Sequence, residues 1–91
     1  MLKKDILIIN KLGLHARASA KLVNVAARFR SKIEIYKDDS DKRVNAKSIM
    51  GLMLLAAAKG TTLHFIATGE DETEAMRAIS ELIADKFGEQ E

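Results

Sequence analysis

The stretch Lys11-Leu12-Gly13-Leu14-His15-Ala16-Arg17-Ala18-Ser19-Ala20 decides how this chain is read. Ahead of it, Ile6 to Ile9 is a short apolar, largely β-branched run that reads as a strand, and Asn10 to Gly13 reads as the turn after it. Behind it, Ala18, Leu22, Val25, Ala26 and Phe29 recur at helical spacing and predict a helix over 16–30. Arg28 and Arg30 would fall in its last turn, where cations are favoured. A glycine turn thus delivers His15 to the start of a helix, with Arg17 two residues on. The first N–H groups of a helix have no partner inside it and carry partial positive charge. A titratable nucleophile, free amides and a guanidinium therefore meet around one point, which suits a phosphoryl group. The positive helix end also disfavours an imidazolium and leaves the ring neutral and nucleophilic.

Working outward, Ile33 to Lys37 alternates apolar and polar residues and predicts a half-buried strand. Asp38-Asp39-Ser40-Asp41 is a turn by composition, and Lys42 to Asn45 returns as a second strand, making a hairpin. Ser48 opens the short helical segment Ile49-Met50-Gly51-Leu52-Met53-Leu54-Leu55, which Lys59-Gly60 closes. Thr61 to Ala67 alternates again, with Leu63, Phe65 and Ala67 on one face and His64 exposed on the other. A last helix starts at Gly69 to Asp71, where Asp71 and Glu74 have the spacing of a capping box. Its apolar stripe is Met76, Ile79, Ile83 and Phe87, widened by Ala75 and Leu82. The order β-α-β-β-α-β-α predicts an α+β fold: a four-stranded antiparallel sheet with three helices on one face.

The bulk numbers bound the rest. The 91 residues, with neither linker nor repeat, predict a single domain over residues 1–91. Only 4% of residues are aromatic, so the core must come from aliphatic side chains, methionine and alanine. The net charge of +2 is too weak and too mixed for a nucleic-acid footprint. An RNA-binding module would also need aromatics stacked along its strands, and only Tyr36 and Phe65 qualify, on opposite faces. Cysteine is absent, which rules out disulfides and thiolate metal sites and fits a cytoplasmic protein. No apolar run approaches the roughly 18 residues of a membrane span. Neither histidine has the companions of a metal site, so no metal, cofactor, nucleic acid or membrane is expected.

The stretch Lys11 to Ala20 resembles the active-site segment of HPr, the histidine-containing phosphocarrier family of the bacterial sugar phosphotransferase system. The resemblance runs the length of the chain and includes a second landmark, Asn45-Ala46-Lys47-Ser48-Ile49-Met50-Gly51. It implies an open-faced β-sandwich and a phosphoryl carrier rather than an enzyme. His15 would accept a phosphoryl group at Nδ1 from phosphorylated enzyme I and pass it to an enzyme IIA. Arg17 would stabilise the group, with the backbone of Ala16, Arg17 and Ala18 binding its oxygens. Ser48 would be the target of an HPr kinase/phosphorylase, although a serine there is also an ordinary helix cap. Ala20, Lys47, Ile49, Met50 and Met53 would dock partners, and partner exchange favours a monomer. Much of the family has proline at the position of Ala18. A regulatory or nitrogen-branch carrier, or a co-regulator active when Ser48 is phosphorylated, remains the alternative.

Overall fold

The computed structural model describes residues 1–40 and 42–91; Asp41, in the turn expected at 38–41, lies outside the described residues. Strand β1 (Leu2–Leu7) leads to helix α1 (Ala16–Ala26), β2 (Lys32–Lys37), β3 (Val44–Asn45), α2 (Ile49–Leu55), β4 (Thr62–Thr68) and α3 (Glu72–Ala84). The strands form one antiparallel sheet in the order β1-β4-β2-β3. Strands β4 and β2 are the interior pair, and β4 is buried at Leu63 and from Phe65 to Ala67. Leu63, Phe65 and Ala67 face the helices and join Leu22, Ile33, Ile35, Leu52, Ile79 and Ile83 in the core. Among the described residues the other face of the sheet carries no helix, yet Ile66 on that face is only 3% exposed, lying in register between Lys3 and Glu34.

Several boundaries differ from the sequence reading. β1 spans Leu2–Leu7 rather than 6–9, because β4 offers partners for those six residues, Leu2 opposite Ala67 through Leu7 opposite Thr62. Beyond it Ile8 stays pinned by two isolated bonds: its N–H donates to Thr61 O at 2.9 Å and its carbonyl accepts from Gly60 at 2.8 Å. Helix α1 stops at Ala26, so Arg28 and Arg30 lie past its end. The backbone there tightens, with Arg28 N–H on Val25 O and Phe29 N–H on Ala26 O, and Lys47 Nζ caps the Phe29 carbonyl at 2.7 Å. β3 is two residues long, since only Val44 brings an apolar side chain to the hairpin.

Helix α2 ends at Leu55 through a left-handed Ala56, four residues before Gly60, which instead turns the chain into β4. Asp71 precedes α3 but makes no capping box with Glu74. Its carboxylate reaches across to the turn before β2 and accepts from the amides of Arg30 (2.8 Å) and Ser31 (3.0 Å) and from the Ser31 hydroxyl. The Ser31 bond, then that from Arg30, holds the Asp71 carboxyl below its usual range. Phe87 is fully buried as expected, but not on α3. It sits in a tight final turn, Lys86–Gly88, with left-handed backbone at Lys86 and Phe87. Fully burying such a ring contributes roughly 1.5–3 kcal/mol, which offsets part of the strain of two left-handed residues. That turn sends the last residues back over the start of α1.

Candidate functional site at the amino end of helix α1

The turn before α1 is held from below. Gly13 has φ +65°, and a Cβ there would lie 2.4 Å from the Ala57 carbonyl oxygen, so only glycine lets the turn press against the α2–β4 loop. Leu14 N–H donates to that same oxygen at 2.8 Å. The buried Asn10 closes the turn, its Nδ2 donating to Gly13 O at 2.8 Å. Leu14 and Ala18 anchor the two sides in the core, and the buried Ser19 hydroxyl donates to Leu14 O at 3.1 Å.

His15 is the N-cap residue of α1, extended at φ −73° and ψ 180°. Its carbonyl accepts the first helical bond, from Ser19 N–H at 2.8 Å. Among the described residues, the amides of Ala16, Arg17 and Ala18 have no acceptor within the chain. They are the orphan donors that a helix start leaves free. The ring is 27% exposed, and Arg17 is exposed beside it. An open cleft of about 760 Å³ lies here, lined by Lys11, Leu12, His15, Arg17 and the tail residues Glu89 to Glu91.

One group in this site escaped the sequence reading. The Glu89 carboxylate bonds His15 Nε2 through one oxygen and accepts from Asn10 Nδ2 at 2.9 Å through the other. The Asn10 bond comes first among the causes that hold the Glu89 carboxyl below its ordinary range. Lys21 Nζ donates to Phe87 O at 2.6 Å and fastens the tail that carries Glu89. Seventy-four positions separate Glu89 from His15, and no local spacing links them.

Ser48 is the N-cap of α2, its Oγ accepting from Gly51 N–H at 3.1 Å. Of the apolar residues that follow, Leu52 and Leu55 are buried while Ile49, Met50, Met53 and Leu54 are exposed, Met50 at 72%. Leu12 adds an exposed apolar side chain on the histidine turn. Ala20 is half-buried, and Lys47 is half-buried with its ammonium on Phe29 O. His64 corrects an expectation: it is not a free surface residue but 18% exposed, its Nδ1 2.7 Å from Asp5 and its Nε2 bonded to Asp38. It stacks on Tyr36 at 4.8 Å, on the face of the sheet opposite Leu63 and Phe65. Among the described residues no cluster of metal-ligating groups occurs, and no helix is long and apolar enough to cross a membrane.

Fold and site together define a small α+β protein that offers one histidine at the amino end of a helix. Residues 2–85 match the family model described as the PTS HPr component phosphorylation site. The phosphocarrier protein HPr of Neisseria meningitidis serogroup A is 59% identical over 91 residues, with all of both chains covered. The crystal structure of HPr-C-His from Thermoanaerobacter tengcongensis superposes with a TM-score of 0.94 at 47% identity, covering the whole of both chains. A crystal structure described as an HPr dimer from the same organism gives 0.77 at 48% identity, covering 98% of this chain and 100% of that one. The chain belongs to the HPr family of phosphocarrier proteins of the phosphotransferase system.

Proposed function

We propose that His15 accepts a phosphoryl group at Nδ1 from phosphorylated enzyme I and passes it to an enzyme IIA. The observation that carries this is the half-buried His15 ring at the start of α1, beside three amides unpartnered among the described residues and an exposed guanidinium. A dianion attached there meets N–H donors, the positive end of the helix and Arg17 at once. The protein is a carrier rather than an enzyme, since partners hold the other reacting groups. The exposed apolar set Leu12, Ile49, Met50, Met53 and Leu54 supports docking around the histidine, because methionine adapts to more than one partner.

Ser48 is proposed as a regulatory phosphorylation site for an HPr kinase/phosphorylase. Phosphate at this cap keeps acceptors facing free amides, so the fold is retained while the added charge repels an acidic partner. The working form is proposed to be a monomer, and molecular mass in solution tests this against the dimer described for the Thermoanaerobacter relative. Incubation with labelled phosphoenolpyruvate and enzyme I tests the carrier role. Acid-labile, base-stable label that vanishes in His15→Ala is expected; label that survives the substitution would overturn it.

A further inference from the structure

We propose that Glu89 is a positioning residue for phosphoryl transfer: its carboxylate holds the His15 ring in the tautomer that presents Nδ1 as the nucleophile. This rests on the carrier role proposed above for His15.

An ionised carboxylate only accepts hydrogen bonds, so the ring nitrogen facing it must carry the proton. Glu89 bonds Nε2, and Nε2 is therefore the N–H of the neutral ring. The lone pair then resides on Nδ1, the nitrogen left free to attack. The same logic orients a catalytic histidine wherever a carboxylate holds its second nitrogen. Glu89 is itself held in place. Asn10 Nδ2 fixes its other oxygen, Asn10 is buried and also bonds Gly13 O, and Lys21 ties down the carbonyl of Phe87 two residues earlier. The carboxylate is only 16% exposed, so water competes weakly for its oxygens.

The step balances without any proton moving. The Nδ1 lone pair forms the N–P bond as the bond from phosphorus to the donor breaks, and that electron pair leaves with the donor. The ring becomes a phosphoimidazolium that still carries Nε2–H, and its new positive charge faces the Glu89 carboxylate. When the phosphoryl moves on, the N–P pair returns to Nδ1 and the neutral Nε2–H ring is restored. Glu89 thus favours both the attacking tautomer and the charged product, and it acts through the ring.

Two variants separate orientation from charge. Glu89→Ala removes both. Glu89→Gln keeps an oxygen that accepts from Nε2–H but removes the charge. Ring nitrogen chemical shifts of His15 report the tautomer ratio of the free protein, with no partner present. Steady-state phosphorylation by enzyme I reports kcat and KM for this protein as substrate. The expected result is a larger Nδ1–H fraction in Glu89→Ala and a kcat lowered about tenfold, the size of one charge-assisted bond, with KM within twofold. Glu89→Gln should keep the wild-type tautomer ratio and fall between the two in kcat. A wild-type tautomer ratio and a kcat within twofold in Glu89→Ala would overturn the role, as would a loss confined to KM. If wild type took no phosphoryl from enzyme I, the carrier role would fail instead, which the partner-free nitrogen shifts distinguish.

Discussion

At the scale of single residues, the site depends on backbone geometry as much as on the histidine. Gly13 combines a left-handed conformation with a backbone oxygen 2.4 Å from where a Cβ would sit. Gly13→Ala must both adopt a strained φ and push the turn off Ala57, costs that together come to about 2–5 kcal/mol. A urea midpoint lowered to match is expected, and an unchanged midpoint would show that the turn is free to shift. Ser48 illustrates a residue whose two roles share one geometry. Its Oγ already accepts from Gly51, so an acidic group at this position still faces free amides. Ser48→Asp is expected to remain folded, with an unaltered circular dichroism spectrum, and to accept phosphoryl from enzyme I several-fold more slowly. Equal rates for the variant and wild type would remove the regulatory role. Both residues were legible in one dimension because a glycine before a histidine and a serine before an apolar run are local signals. Glu89 was not, because nothing in its neighbours marks a carboxylate that meets a ring 74 positions away.

Among the elements, α1 does the most to shape the site. Its apolar face buries Ala18, Leu22 and Ala26, which anchors the helix and holds its free amides beside the N-cap residue His15. Ala18 occupies the third position of the helix, with its N–H unpartnered among the described residues. Proline lacks this donor and is tolerated in a first turn, where the N–H has no helical acceptor. Ala18→Pro removes one of the three free amides but leaves those of Ala16 and Arg17 and the Arg17 guanidinium, so phosphotransfer should survive with at most a modest change in rate, read by the same enzyme I assay. Loss of transfer with the fold preserved would mean that the Ala18 amide is an essential phosphoryl donor. Element types were readable from periodicity, but their ends were not. α1 stops four residues short of Arg30, α2 stops at a left-handed alanine, and Asp71 leaves its expected cap for Ser31 across the fold. At the end of α1 and at Asp71 a contact from a distant segment replaces the local signal.

Over the whole molecule, the two faces of the sheet divide the labour. One face packs the helices and positions His15; the other holds a polar array in which Asp5, His64 and Tyr36 stand in register across β1, β4 and β2. Both His64 nitrogens meet carboxylates, an arrangement that favours the imidazolium, the form in which both nitrogens donate. Hydrogen bonds to Asp5 first and then to Asp38 raise its pKa above the ordinary 6.5. A raised folded pKa contributes stability that is full below about 6.5 and is lost as pH climbs through the higher folded value. The His64→Gln protein should therefore melt about 2–5 °C below wild type at pH 6, with the gap shrinking by pH 9. A gap that is equal at both pH values would refute the ionic origin.

By itself the sequence determined the element order, the family, the histidine and the serine landmark, because each is carried by residues close together in the chain. Hydrophobic period sets element type, and glycine or serine punctuates it, with no need of distant partners. Only the tertiary structure decided where strands begin, that the tail turns back through Phe87 to set Glu89 on His15, and that His64 bridges two carboxylates. Those outcomes depend on which surfaces meet when the core closes, and a buried or paired carboxylate looks the same in sequence as a solvated one.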